Sequence, residues 1–194
     1  MRIPHLLPSL LLATAALPAF AADDLSACLD RLQPKARAAG ISDALFREHT
    51  DGLVSDPSVL EALDYQPEFR TPLWDYLAGL VDQQRVDDGR ALLDEHAELL
   101  SRIEAEYGVD PATVVAVWGV ESDYGRTFGS KSLLRSLATL SCAGRRQDFF
   151  RGELFAVLKL IQAGDLSAEG LTGSWAGAFG HTQFMPSTYT RIAV

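Results

Sequence analysis

Between Asp110-Pro111 and Gly125 runs a segment, Ala112 to Ser122, that is apolar on nearly every side. Val114, Val115, Val117, Trp118 and Val120 leave no polar face at a helical repeat. The β-branched residues would also suit a strand. Asp110 as a cap, Pro111 at the first helical position, the length of the run and the Gly125 beyond it favour a helix. A helix without a polar face has to be enclosed, so the remaining chain must supply what surrounds it. The spacing of apolar residues predicts such elements. Leu25 to Ala39 reads as a helix closed by Gly40, with Ser42 capping a short successor. Asp56-Pro57 opens another helix, and Leu73 to Val81 forms a short apolar segment. Arg90 to Tyr107 is the clearest amphipathic helix, with Leu92, Leu93, Leu99, Leu100, Ile103 and Tyr107 on one face and Gly108 at its end. Phe149 to Ile161 reads as a largely buried helix closed by Gly164. With no period-2 pattern, internal repeat or low-complexity linker, the expected fold is all-α, with Ala112 to Ser122 as its central helix.

Glu121 stands at the C-terminal end of that apolar run. Loss of water and the negative end of the helix dipole both disfavour a charged carboxylate there. The residue is therefore expected to keep its proton near neutral pH and to act as a general acid. The alternative is a carboxylate that reaches solvent at the helix end or pairs with Arg126. Glycosidases normally flank the bond with two carboxylates. Asp123, two positions on, points to another side of a helix and suits the turn before Gly125. No second acid stands out, so the chemistry is expected to use one.

Gly173 to Ser187 is the most unusual stretch. Its glycines let backbone approach a ligand closely. Ser174 and Gln183 can hydrogen-bond sugar hydroxyls, while Trp175, Phe179 and Phe184 offer apolar faces, mostly to the core. The glycine spacing around Ser174 does not match a Gly-x-Ser-x-Gly nucleophile elbow. His181 has no ligand partner nearby and no His-Glu-x-x-His pattern occurs, so neither a metal site nor a cofactor is expected. His49 and His96 read as ordinary helix-surface residues.

The 194 residues carry a formal charge of −9, which argues against a phosphate backbone as partner and fits a neutral polysaccharide. The N-terminus reads as an export signal: Arg2, an apolar run from Leu6 to Leu17 interrupted by Pro8, and Ala19-Phe20-Ala21 as the cleavage site. Residues 1–21 are thus expected to be removed, and 22–194 to form one domain in the periplasm. Leu25-Ser26-Ala27-Cys28 has the look of a lipid-attachment box, but Asp23 and Asp24 separate it from the apolar run. Membrane association follows only if Cys28 is lipidated. Cys28 and Cys142, the two cysteines of an exported chain, either pair in a disulfide or stay as separate buried thiols.

Val117-Trp118-Gly119-Val120-Glu121-Ser122-Asp123-Tyr124-Gly125, together with the Gly173 to Ser187 segment, resembles the membrane-bound lytic murein transglycosylase B family. Leu63 to Phe69 and Gly144 to Phe150 are similar to it as well. The resemblance runs from about Cys28 to the last residue. It implies a lysozyme-like helical fold and non-hydrolytic cleavage of the bond between N-acetylmuramic acid and N-acetylglucosamine in peptidoglycan. It implies that Glu121 alone acts as acid and base, leaving 1,6-anhydro ends. Ser174 and Gln183 would contact substrate near the cleaved bond. Arg145 and Arg146 would face the acidic stem peptides, and Tyr189 would line the groove. Family members continue with an acidic, calcium-binding-like loop and a later segment bearing an aromatic and an asparagine in the groove. Neither occurs before Val194, so the sequence reads as an N-terminal portion of such a domain. Two other readings stay open: a hydrolytic muramidase, and a non-catalytic glycan-binding remnant.

Overall fold

The structure, a computed structural model, describes residues 22–65 and 69–192, the first three by backbone only. The export signal over 1–21 and residues 66–68 of the Leu63 to Phe69 stretch lie outside the described residues. The described chain is helical: α1 (Ala22–Ala38), α2 (Asp43–Thr50), α3 (Pro57–Asp64), α4 (Leu73–Leu80), α5 (Gln83–Glu95), α6 (Ala97–Tyr107), α7 (Pro111–Ser122), α8 (Leu133–Cys142), α9 (Gln147–Ala163) and α10 (Pro186–Ile192). The two-residue strands β1 (Lys131–Ser132) and β2 (Thr172–Gly173) pair antiparallel, Lys131 opposite Gly173.

Side chains that accept a first-turn amide start several helices. Ser42 accepts from the Leu45 amide, Asp56 from Ser58 and Asp110 from Thr113. Pro57 and Pro111 follow their caps at the first helical position, where no backbone N–H is needed. Asp56 also pairs with Lys131, at 3.3 Å. The Ser58 hydroxyl first, and Lys131 with it, hold the Asp56 carboxyl below the usual carboxylate range.

The core forms around α8. Leu133, Leu137 and Leu140 are wholly buried, and α1, α2, α3 and α9 pack on their surroundings through Leu25, Leu29, Phe46, Val59, Leu63, Leu154 and Leu158. Each such leucine stabilises the fold by about 1.5–3 kcal/mol relative to exposure. Cys28 in α1 is disulfide-bonded to Cys142 at the end of α8, across 114 positions. A buried carboxylate, Glu153 on α9, accepts from the Ser187 amide at 2.8 Å and the Ser187 hydroxyl at 2.6 Å. It thereby seats a negative charge at the start of α10.

Three expectations are corrected. First, Arg90 to Tyr107 is not one helix. The chain breaks at His96, whose amide caps α5 on the Leu92 and Asp94 carbonyls and whose ring lies 6.0 Å from that of Trp118. So His96 is a junction residue rather than a helix-surface one. An unbroken helix from 83 to 107 would be about 37 Å long, twice the length of the 12-residue α7. Breaking it lets both halves pack on α7.

Second, α7 is not the central helix. Val115, Gly119 and Ser122 are buried against α5 and α6, but Val117 and Val120 remain 45% and 41% exposed. Third, α8 takes the central place, although neither it nor α10 carries a start signal as plain as Asp-Pro in the sequence.

Tyr124 locks α7 to α5. Its hydroxyl donates to the Arg85 carbonyl at 2.7 Å, and burial pushes that hydroxyl's pKa up. The ring fits only because two helical glycines face it: a Cβ on Gly119 would lie 2.6 Å from the ring, and one on Gly89 2.5 Å from the hydroxyl. No described helix is long and apolar enough to cross a membrane.

Replacing both cysteines by serine is expected to lower the unfolding free energy by about 3–5 kcal/mol, as removal of a crosslink over so long a loop should. Urea denaturation with and without reductant checks it; an unchanged midpoint would show that the bond contributes nothing. Gly119→Ala is expected to cost about 1–3 kcal/mol by overpacking against Tyr124. Thermal melts of Gly119→Ala, alone and combined with Tyr124→Leu, check this: the alanine should cost clearly less once the ring is gone.

Candidate active site

α7 ends where the chain turns left-handed at two successive non-glycine residues, Asp123 (φ 49°) and Tyr124 (φ 57°). Such a conformation needs local support. It comes from the Asp123 amide donating to the Gly119 and Trp118 carbonyls, and from the Asp123 carboxylate facing Arg85 at 3.5 Å and Arg126 at 3.6 Å. Arg126 also binds Asp88 on α5 at 2.6 Å, and this guanidinium foremost keeps the Asp88 carboxyl below its ordinary range. The acid nearest Glu121 in sequence thus serves the turn.

Glu121 occupies the last turn of α7, on the side shared by Val117 and Trp118. Its side chain is exposed, so the dry surroundings expected from the apolar sequence are absent. That side of α7 is open, and Val117, one turn earlier, is exposed as well. Nor does it pair with Arg126, which Asp88 and Asp123 engage. Glu121 is an accessible carboxylate on a firmly held helix end.

The glycine-rich segment comes back beside this helix end. β2 begins it, and the backbone then folds on itself: the Ser174 amide donates to the Ala178 carbonyl at 2.8 Å, and the Ala178 amide donates to the Ser174 hydroxyl at 3.0 Å. Phe179 and Phe184 bridge as an isolated ladder pair. Gln183, itself left-handed, donates from its side chain to the Gly180 carbonyl at 2.9 Å and to the Phe128 carbonyl at 3.4 Å. The direct link to α7 is the Trp118 indole N–H donating to His181 Nδ1 at 2.9 Å. Glu121, Ser174 and Gln183 therefore sit on connected pieces of backbone.

Arg145 and Arg146 lie in the turn between α8 and α9. Arg145 is drawn to the end of α3, donating to the Leu63 carbonyl and facing Asp64 at 3.4 Å. Arg146 places its guanidinium 4.4 Å from the centre of the exposed Phe149 ring. Tyr189 on α10 stacks against Phe179 at 5.7 Å. Two open clefts border these elements. One, of about 260 Å³, is apolar, lies between α5 and α7 and is lined by Val86, Leu93, Val115, Val120 and Tyr124. The other, about 250 Å³, is lined by Phe128, Leu171, Thr172, Phe179 and Gly180 beside the glycine-rich segment. Among the described residues no three His, Cys, Asp or Glu side chains converge as metal ligands would.

Sequence reasoning missed the Trp118–His181 pair and the Glu153–Ser187 pair. Nothing in the sequence signals the first, because the two residues are 63 positions apart. The second had a signal: a lone acid within the apolar run of α9.

The transglycosylase SLT domain family matches residues 24–194. Membrane-bound lytic murein transglycosylase B of Escherichia coli is 36% identical over 133 residues, which is 68% of this chain and 34% of that protein. Among solved structures, SltB3 of Pseudomonas aeruginosa in complex with NAG-NAM-pentapeptide is 45% identical with a TM-score of 0.81, covering 88% of this chain and 46% of its own. Soluble lytic transglycosylase SltB1 of the same organism is 32% identical with a TM-score of 0.75, covering 88% and 57%. The chain thus spans between about a third and somewhat over half the length of the proteins it resembles. With a family match across nearly all its residues and a shared helical architecture, this chain belongs to the transglycosylase SLT domain family.

Proposed function

We propose that this chain cleaves the β-1,4 bond between N-acetylmuramic acid and N-acetylglucosamine in peptidoglycan without water, with Glu121 as the single acid and base. The observation that carries the reading is an accessible carboxylate at the end of α7, joined through Trp118 and His181 to a glycine-rich segment with polar side chains. Family membership supports it, as does the NAG-anhNAM-pentapeptide bound in a second SltB3 structure from Pseudomonas aeruginosa.

In this scheme protonated Glu121 gives its proton to the glycosidic oxygen as the bond from the muramic acid C1 breaks. The carboxylate so formed takes the proton of the same sugar's 6-hydroxyl while that oxygen bonds to C1, closing the 1,6-anhydro ring. Atoms and protons balance, and Glu121 ends as it began. Glu121 is exposed in the folded chain, and the bound glycan supplies desolvation that favours its acid form. Ser174 and Gln183 hold sugar groups near the cleaved bond, Tyr189 lines the groove, and Arg145 and Arg146 meet stem-peptide carboxylates. No metal or cofactor takes part. Export past Ala21 delivers the chain to the periplasm, where this substrate is found.

The same exposure of Glu121 favours a second reading, a glycan-binding chain that does not cut. Glu121→Gln decides between them. Mass spectrometry of digested peptidoglycan is expected to show anhydro ends with the wild type, and cleavage about 10²–10⁴-fold slower with the variant, binding being retained. Reducing muramic ends in place of anhydro ends would point to hydrolysis, and a wild type that binds without cutting would establish the second reading.

A further inference from the structure

We propose that His181 is a positioning residue for the site, acting through its hydrogen bond to Trp118; this rests on the role assigned to Glu121 above. Trp118 precedes Glu121 by one helical turn, and its indole N–H donates to His181 Nδ1 at 2.9 Å. Its carbonyl accepts from the Tyr124 amide at 3.3 Å and from the Ser122 hydroxyl at 3.3 Å. Trp118 therefore anchors the turn that follows Glu121 to the helical turn that precedes it, and His181 holds Trp118.

The imidazole also fills a place made for it. A Cβ on Gly125 would lie 2.4 Å from His181 Cε1, and the Phe128 ring packs edge-on at 5.1 Å. The Phe128 carbonyl in turn accepts from Gln183. One ring thus touches the helix end that carries Glu121, the turn after it, and the segment that carries Gln183. Glu121 itself has no ion-pair partner among the described residues, so its place relative to Gln183 is set by backbone, and this is the side-chain hydrogen bond that joins α7 to the glycine-rich segment there.

Accepting at Nδ1 requires the proton on Nε2. A second proton, on Nδ1, would set two donors face to face and open the bond. The charged and titratable groups around His181 and Trp118 are Glu121 on α7, Asp123 at its C-cap, Tyr124 and Arg126 in the turn that follows, Asp88 on α5 and His96 at the α5–α6 junction. Asp88 and Asp123 are paired with Arg126, and His96 lies on Trp118 at 6.0 Å, so His96 is the group that must be tested as a second source of any pH response.

The experiment combines steady-state kinetics on soluble glycan oligomers with the indole N–H resonance of Trp118, followed against pH without substrate. His181→Phe keeps the ring and removes the acceptor; kcat is expected to fall about tenfold or more, with KM within about twofold. His181→Asn places an amide oxygen where Nδ1 was and is expected to restore most of kcat. Wild-type kcat is expected to fall on the acid side; His181→Asn should abolish that fall, whereas His96→Gln should keep it. The Trp118 resonance should shift over the same pH range in the wild type and stay fixed in His181→Asn. Wild-type kcat in His181→Phe, an unaltered acid limb in His181→Asn, or an indole signal indifferent to pH would each overturn the proposal. A wild type that cuts no glycan sinks the proposed function instead, and the indole titration still decides whether the latch exists.

Discussion

A helix buried on nearly every side needs other elements to enclose it and partners for its polar atoms, and in this chain that helix is α8. Leu133, Leu137 and Leu140 lose all contact with solvent, and even Ser136, Thr139 and Ser141 are buried. Thr139 and Ser141 turn their hydroxyls back onto the carbonyls four residues earlier, so their polar atoms are satisfied inside the core. The elements around α8 inherit their positions from it. α1 reaches it through the disulfide, α3 approaches it at Val59 and Leu63, and α9 lies along it at Leu154 and Leu158. The sheet strand β1 leads directly into it, and β2, its partner, opens the glycine-rich segment. The placement of that segment is therefore a consequence of how α8 is buried.

The helix that bears Glu121 stands in a different relation to the core. α7 packs on α5 and α6, and reaches the glycine-rich segment through Trp118 and His181. Rigidity at its end comes from polar detail: two left-handed residues, a tyrosine wedged between glycines, and ion pairs among Arg85, Asp88, Asp123 and Arg126. Ion pairs this exposed contribute little stability singly. Their value here is directional, since they fix a backbone conformation that would otherwise be unfavourable.

Much of the fold was legible in the sequence, because start and stop signals are local. Asp56-Pro57, Asp110-Pro111, Gly108 and Gly164 mark helix ends that the structure reproduces. What was not legible depended on partners far along the chain. An apolar pattern says that a helix wants to be enclosed but not which of several will be; α7 read as the central one and α8 took the place. The break at His96 could not be seen either, because the leucine spacing continues through it and only packing against α7 explains it. At the site, the residue types of Glu121, Ser174 and Gln183 drew attention locally. The exposure of Glu121 and the joining of Trp118 to His181 are tertiary facts with no local signature.

The Cys28–Cys142 bond ties the first described helix to the end of α8, with the six described helices α2 to α7 enclosed in the loop. It cannot close until the whole of that loop has been synthesised and α1 has found α8. In a reducing compartment α1 would be held without a covalent tie, chiefly by the burial of Leu25, Leu29, Leu32 and Ala36. Where thiols are oxidised it becomes a covalent strap around the molecule. The same polypeptide would then tolerate fraying of its leading end in one cellular space and resist it in another, so its resistance to proteolysis near α1 registers the redox state in which it matured.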